Sequence, residues 1–293
     1  MRNTPLPHHT GWPWRFQKRN GRPKGYPVFP PAANGAACAA LFALALCCGT
    51  AAFDAQAEPE AQSPPAVADE ALARSIVEKA DEVRFPQKGF EVQVAIKSTS
   101  TDGRNEEREY RVLSKGNQST LVMVTEPASE RGQILLMKGR DLWIYMPTLS
   151  QPVRLSLSQR LTGEVANGDL ARANFAGDYT PKLLRTETVD GEPTYVLELD
   201  ASERGVTYHR VMYWVRKDGY RPYKAEFYSV SDKLLKSATY EAYKPLGGRT
   251  RPTRLVMRDA LHEGDRSVLE YRDMKLRDLP DKMFTKDYLK HIE

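Results

Sequence analysis

The chain has 293 residues, with 43 lysines and arginines against 38 aspartates and glutamates, which gives a formal net charge of +5. Residues 1–57 contain six of the basic residues and one of the acidic residues, so the remainder has 37 of each and no net charge. This balance excludes binding that relies on overall positive charge, and we predict no nucleic-acid partner. All three cysteines also fall within residues 1–57, so the rest of the chain cannot form disulfides.

The amino-terminal segment has the three parts of a cleaved export signal. A basic arm precedes an apolar run over residues 35–52, and the run ends in the small-residue triplet Ala55-Gln56-Ala57. The run also approaches the shortest length that spans a bilayer, so a membrane anchor is the alternative. The sequence favours cleavage, because an anchor rarely ends in such a triplet. We therefore predict a signal peptide at residues 1–57, a flexible lead at residues 58–68 and a single exported domain at residues 69–293.

The first predicted element of the domain is an amphipathic helix over residues 69–84. Asp69 is the expected N-cap, and the apolar residues at helical spacing are Leu72, Ile76, Ala80 and Val83. From Phe90 the apolar period changes to two, which is typical of a strand with one solvated face. Tight turns such as Asp190-Gly191 and Asp218-Gly219 separate the strands that follow, which indicates antiparallel meanders without a parallel βαβ pattern. Further strands are predicted at 119–126, 132–138, 140–146, 152–157, 182–189, 194–200, 209–216, 224–230, 233–243, 253–258 and 267–275.

Two segments interrupt the strands. In residues 161–179 Asn167 is the expected cap of a short helix, and Thr285 is the expected cap of a terminal helix over residues 286–292. Phe284 and Leu289 stand at the positions of a hydrophobic staple around that second cap. Several middle strands, including Leu142–Met146 and Val211–Val215, are apolar on both faces, which predicts that both faces are covered. Strand pattern alone leaves open whether a filled core or a ligand cavity lies beneath them.

The sequence lacks the common catalytic and metal-binding motifs. The exported part has only three histidines, His209, His262 and His291, which are far apart, and it has no cysteine. We find no paired-histidine metal motif, serine nucleophile elbow or phosphate-binding glycine loop. We therefore predict that the protein is not an enzyme, has no catalytic residues and binds no metal or cofactor.

A series of motifs resembles a known family. The segments Arg131-Gly132, Gly139–Pro147, Leu161–Arg172, Phe175–Tyr179, Tyr213–Val215, Pro222–Tyr228 and Phe284–Leu289 resemble, in order and spacing, the outer-membrane lipoprotein-sorting-like proteins, relatives of the periplasmic carrier LolA. The resemblance implies a mainly β fold, an unclosed antiparallel β-barrel (a LolA-like half-barrel) capped by a few helices around an apolar cavity for acyl chains. It also implies a monomeric periplasmic carrier in outer-membrane biogenesis, with a lipid or lipoprotein as cargo and an RND-type inner-membrane transporter as a candidate partner.

Two other classes compete with the carrier. One is an RseB-like protein-interaction module that senses envelope stress without a lipid cargo, and the other is a structural envelope protein with a filled core. If the protein is a carrier, the residues expected to contact the acyl chains are Leu136, Trp143, Tyr145, Met146, Val211, Tyr213 and Phe227.

Two further predictions concern the covering segments and a group of basic residues. Residues 161–179 and the helix 69–84 are expected to form either a movable cover over the cavity or a static plug. The basic residues around Gly247-Gly248 are expected either to dock to a membrane partner or to form an ordinary solvated turn; these are Lys244, Arg249, Arg251, Arg254 and Arg258.

Overall fold

The computed structural model describes residues 65–292 except positions 117 and 173, with side chains from residue 69 onward. The predicted signal peptide and residues 58–64 of the predicted lead lie outside the described residues. Among the described residues, no helix is both long enough and apolar enough to cross a membrane.

Thirteen antiparallel strands form one large sheet. The first and last strands of the chain pair with each other, for example Val94 with Tyr271. On one side of this pair the neighbouring strands run forward in chain order, and on the other side they run backward. The strands at the two ends of the sheet, β6 (Val153–Leu155) and β9 (Tyr179–Val189), do not pair, which leaves the barrel open as the family resemblance implies. In order, the sheet comprises β6 (Val153–Leu155), β5 (Asp141–Tyr145), β4 (Ile134–Lys138), β3 (Ser119–Glu126), β2 (Asn105–Lys115), β1 (Phe90–Thr99), β15 (Arg266–Leu276), β14 (Arg249–Asp259), β13 (Leu234–Leu246), β12 (Pro222–Tyr228), β11 (Arg210–Arg216), β10 (Glu192–Ala201) and β9 (Tyr179–Val189).

The longest helix, α1 (Pro65–Arg84), packs on the inner face of the sheet. It begins four residues before the predicted cap, so Asp69 lies inside the helix and residues 65–68 of the predicted flexible lead are helical. Proline suits a first helical turn, because the amide proton that it lacks would have no partner there. Leu72 is exposed, contrary to the prediction, because the buried stripe instead comprises Ala73, Ile76, Val77, Ala80 and Val83.

Residues 160–178 form the second element on the inner face. A small hairpin of β7 (Arg160–Thr162) and β8 (Val165–Ala166) leads into the short helices α2 (Asn167–Ala171) and α3 (Phe175–Asp178). The hairpin turn lies so close to the barrel wall that a Cβ on Gly163 would come within 2.1 Å of the Ser98 hydroxyl. Ala166, and not the predicted Asn167, is the N-cap of α2, and the Asp169 carboxylate accepts a hydrogen bond from its amide at 2.8 Å.

The carboxyl-terminal segment covers part of the outer face. Phe284 and Leu289 are buried with Leu279 against Leu121 and Leu136. The predicted terminal helix is wrong: only a short 3-10 turn forms at Tyr288–His291, and the Thr285 hydroxyl donates to the Lys282 carbonyl instead of capping a helix. Burial of the two apolar side chains against the sheet takes the place of the helix. The segment covers the outer faces of β3 and β4, each of which is buried on both faces.

Candidate binding site on the inner face of the sheet

The inner face of the sheet forms one continuous apolar surface. The clean alternation of β1 places Val92 inward, and the strand pairings carry this face to Val112, Val122, Leu135 and Ile144. All five residues belong to the same apolar cluster as the buried stripe of α1. Any apolar ligand held between the sheet and α1 would contact these side chains.

The predicted acyl-chain residues divide between the two faces. Val211, Tyr213 and Phe227 lie on the inner face and are fully or almost fully buried. A second group of three lies on the outer face beneath the carboxyl-terminal segment, so these residues do not line the interior; they are Leu136, Trp143 and Tyr145. Met146 follows β5, is half-buried and joins neither cluster among the described residues.

The physical reason for this correction is that β4 and β5 are apolar on both faces. Leu136 and Trp143 are register partners, so they share a face, while Leu135 and Ile144 share the opposite one. The strands themselves give no polar side from which to choose. Strand β1 has a polar outer face, so its inward residues can be identified. The strand pairings then lead from Val92 to Leu135 and Ile144 and identify these two as the inward pair.

The apolar part of the interior is closed in this structure. Two small cavities lie there between the sheet and its inner cover, leaving about 10 Å³ and 20 Å³ for the centres of water molecules. Each has room for about one water. The first is mainly apolar, with Phe85, Phe90 and Tyr271 in its wall, and the second is mixed, with Arg84, Asp169 and Phe175 in its wall. An acyl chain could enter only if the covering segments moved. A polar pocket that leaves about 360 Å³ for the centres of water molecules lies where the β7–β8 hairpin meets the end of the sheet, with Arg104, Glu106 and Arg108 in its wall.

Buried ion pairs tie residues 160–178 to the barrel. The Lys236 ammonium lies 2.9 Å from the Asp169 carboxylate, which also accepts a hydrogen bond from the Tyr208 hydroxyl at 2.7 Å. Arg172 donates to Asp178 and to the Gly139 carbonyl, both at 2.6 Å. These pairs lie where water is scarce, so removal of one partner would leave an uncompensated buried charge and destabilise the closed state.

A further tie joins α1 to α3. The Asp81 carboxylate accepts a hydrogen bond from the Ala176 amide at 2.8 Å and lies 3.1 Å from Arg84. Burial raises the pKa of Asp81 from the ordinary value of 3.8 to about 6, and the positive charge of Arg84 opposes that shift only in part. The two predicted covering segments therefore meet at a carboxyl group that titrates close to neutral pH.

We expect this carboxyl group to make stability depend on pH. Because the folded protein holds the Asp81 proton more tightly than the unfolded chain does, its contribution is greatest below about pH 4 and is lost as the pH rises through about 6. The Asp81→Asn variant cannot titrate at this position. Between about pH 7 and pH 4, wild type should gain on the order of 3 kcal/mol in unfolding free energy relative to this variant. Urea denaturation of both proteins at several pH values measures the difference, and a pH-independent difference would contradict the assignment.

Two of the basic residues around Gly247-Gly248, Arg249 and Arg251, contact the end of α1. Arg251 is buried and donates to the Val83 carbonyl at the end of α1 and to the Leu246 carbonyl, each at 3.1 Å. Arg249 lies 3.5 Å from Glu82. Positive charge at a helix carboxyl terminus is stabilising, so Arg251 holds α1 in place. The prediction that Arg251 takes part in either a docking surface or a solvated turn is therefore wrong, because its side chain is buried against α1.

The described residues contain no group of three or more histidine, cysteine, aspartate or glutamate side chains arranged to hold a metal ion. The polar groups of the interior instead tie the covering segments to one another and to the sheet. The arrangement suits the reversible enclosure of an apolar guest.

Comparisons with known proteins agree with this architecture. A crystal structure of a LolA superfamily protein, NE2245 from Nitrosomonas europaea, is 63% identical over 74% of this chain and 98% of that one, with a TM-score of 0.71. A putative outer membrane lipoprotein-sorting protein domain from Vibrio parahaemolyticus is 22% identical over 75% and 99% of the two chains, with a TM-score of 0.66. A DUF1329 family protein from Desulfovibrio piger is 21% identical over 75% and 99%, also with a TM-score of 0.66. At these lower identities the likeness shows the fold alone.

Two further comparisons are less informative about function. A family model described as "uncharacterized protein" matches residues 116–291. No curated protein matches the sequence.

Proposed function

Because this chain belongs to the LolA superfamily, we propose that it is a periplasmic carrier that binds the acyl chains of a lipid or lipoprotein for transport between membranes. The observation behind the proposal is that the inner apolar face is covered by short segments, α1 and residues 160–178, and not by a second sheet. Such segments can move away while the sheet keeps its hydrogen bonds. The predicted signal peptide supports export to the periplasm.

In such a carrier, the free energy gained by burying the cargo offsets the free energy needed to open the cover. Moving α2 and α3 aside would expose large apolar side chains such as Leu170 and Phe175, each of which gains about 1.5–3 kcal/mol from burial. An acyl chain of about twelve methylenes gains ~10 kcal/mol when it is buried in their place. The cargo can therefore offset the opening of the cover. Release is possible because closing the cover recovers the same kind of apolar contact.

An RND-type inner-membrane transporter is the partner that the family resemblance suggests. With no net charge on residues 58–293, general attraction to anionic membranes would contribute little to delivery. A specific protein partner would supply the direction of transfer.

The rival function is a protein-interaction module without a lipid cargo. The specific observation in its favour is the closed apolar interior, in which each cavity has room for about one water. In that case, α1 and residues 160–178 would be permanent parts of the core.

Purification after export, followed by lipid extraction and mass spectrometry, separates these functions. A carrier should yield a bound lipid or take up a fluorescent fatty acid. A folded protein that does neither would exclude the carrier and favour the interaction module.

A matched pair of aromatic variants locates the site. Phe227 lies on the inner face and Trp143 on the outer face. We expect Phe227→Ala to weaken fatty-acid binding roughly tenfold, because the acyl chain loses an aromatic wall. Trp143→Ala should leave binding unchanged. Equal effects of the two variants would place the acyl chains elsewhere.

A further inference from the structure

Arg84, the last residue of α1, is a buried cation inside the apolar interior. Its side chain is 8% exposed, and it lines the mixed cavity beside Phe175 and Tyr240. The guanidinium carbon lies 4.2 Å from the centre of the Phe175 ring and 5.8 Å from that of Tyr240. Cation–π contact with these rings compensates in part for the loss of water.

The hydrogen-bonding capacity of Arg84 is mostly unused. A guanidinium has five N–H donors, yet within the described residues this one makes a single side-chain hydrogen bond, to Asp81 at 3.1 Å. Because Arg84 lines the mixed cavity, its other N–H groups are at the cavity wall, and they have no acceptor among the described residues.

The other buried arginines differ from Arg84 in this respect. Arg172 donates to both carboxylate oxygens of Asp178 and to the Gly139 carbonyl. Arg251 donates to three backbone carbonyls, and Arg216 to carbonyl and side-chain oxygens in the turns between β9, β10 and β11. Each of these three buried arginines thus makes at least three side-chain hydrogen bonds, whereas Arg84 makes one.

A second buried polar group without a partner lies beside the same ring. Tyr213 is fully buried on β11, and its hydroxyl has no hydrogen-bond partner among the described residues. The ring of Tyr213 meets Phe175 edge to face, with 5.2 Å between their centres. Such groups are few in folded proteins. The Arg84 guanidinium and the Tyr213 ring therefore both contact Phe175 of the covering segment.

The apolar cavity begins next to this pair. Phe85 follows Arg84 in the chain, stacks on Phe90 and lies edge to face against Tyr271, and all three residues line the apolar cavity. A guest with its chain along this wall would have its head close to Arg84. Movement of α3, which contains Phe175, would open space for that head.

We propose that the cargo is an amphiphile with an anionic oxygen head, a carboxylate or a phosphate, and that Arg84 and the Tyr213 hydroxyl bind that head. The proposal rests on the carrier function and adds the chemical class of its cargo. A carboxylate or phosphate would accept the unused N–H and O–H groups in charge-assisted hydrogen bonds. An uncharged head would leave the positive charge of Arg84 without an added counter-ion.

The test compares ligands with one chain and different heads. Dodecanoate, dodecyl phosphate and dodecanol are titrated below their micelle-forming concentrations into the exported, delipidated protein, and binding is followed by calorimetry. Wild type should bind at least one of the two anionic ligands roughly tenfold or more tightly than dodecanol, the size expected for a hydrogen bond to a charged group. Whichever anion binds more tightly identifies the head as a carboxylate or a phosphate.

Variants test whether Arg84 and Tyr213 cause the preference for ligands with an anionic head. Arg84→Gln should remove most of the preference while dodecanol binding changes little. Tyr213→Phe, which removes an unpartnered hydroxyl and keeps the ring, should reduce the preference several-fold without loss of thermal stability. Arg251→Gln is the matched control, because it changes a buried arginine outside both cavities, and it should lower the melting temperature without altering the preference.

The outcomes distinguish failure of the anionic-head proposal from failure of the carrier function. If wild type binds all three ligands equally, the anionic head is excluded and the carrier function stands. If it binds none of them, the proposed carrier function itself fails. If Arg84→Gln weakens all three ligands by the same factor and Tyr213→Phe leaves the preference unchanged, Arg84 supports the fold only and the assignment of the head site is overturned.

Discussion

Replacing Phe284 by alanine is expected to lower the free energy of unfolding by about 3–5 kcal/mol and to leave acyl-chain binding unchanged. The side chain is 1% exposed and packs with Leu289 on the outer face of the sheet. Its removal would leave a cavity beneath the carboxyl-terminal segment, far from the inner apolar face. Urea denaturation measures the loss of stability, and a fluorescent fatty acid measures binding.

The control for this variant lies on the same segment. The Lys286 ammonium lies 4.2 Å from the centre of the Trp143 ring, so Lys286→Ala should cost less than about 1 kcal/mol. If Phe284→Ala instead abolished fatty-acid uptake while the protein stayed folded, the outer face would belong to the binding site. The assignment of acyl-chain binding to the inner face alone would then be wrong.

Replacing Lys236 by methionine should destabilise the cover more than the rest of the protein. The change removes the ammonium beside Asp169 and leaves that carboxylate buried with only the Tyr208 hydroxyl and the Ala166 amide. Loss of one partner of a buried ion pair typically costs about 3–5 kcal/mol. Because Asp169 lies in α2, we expect faster hydrogen exchange over residues 160–178, with the amides of β1 and β2 much less affected.

The double variant Asp169→Asn/Lys236→Met tests whether the charge is responsible. Removal of both charges leaves no unpaired carboxylate, so the double variant should recover much of the lost protection. Uniformly faster exchange throughout the sheet in Lys236→Met would contradict a separately opening cover. It would instead indicate that residues 160–178 are part of the cooperative core.

Much of the fold was predictable because the strands alternate and the turns between them are short. The alternation of Phe90, Val92 and Val94 with polar residues identifies both a strand and its inner face. The antiparallel sheet follows from this pattern, whereas its open edges were expected only from the family resemblance. What alternation could not decide was the orientation of β4 and β5, since Leu135 and Leu136 are equally apolar and both are buried.

The remaining differences arise from contacts between residues far apart in the chain. Phe284 and Leu289 have the spacing of a helix staple, but burial against the sheet outweighs local helix formation there. Nothing near Gly163 in sequence reveals that its turn lies against Ser98 and Ser267. Likewise, the basic residue pattern around Arg251 could not show that this side chain points to the end of α1. Local patterns predict elements, while these placements depend on the assembled barrel.

A disulfide that holds residues 160–178 against the barrel tests most directly whether these residues must move to admit acyl chains. A Cβ on Gly168 in α2 would lie 3.0 Å from the Thr207 Cβ in the loop between β10 and β11, so a small shift reaches the ~3.5–4.5 Å separation of a disulfide. The chain has no cysteine after residue 57, so Gly168→Cys/Thr207→Cys introduces the only pair in the exported part.

Fatty-acid uptake is then measured with the pair oxidised and reduced, and with each single cysteine as a control. We expect oxidation to prevent uptake and reduction to restore it, and we expect oxidant to leave binding by the single-cysteine variants unchanged. Uptake at full affinity by the oxidised protein would show that acyl chains do not need residues 160–178 to move away before they enter the interior.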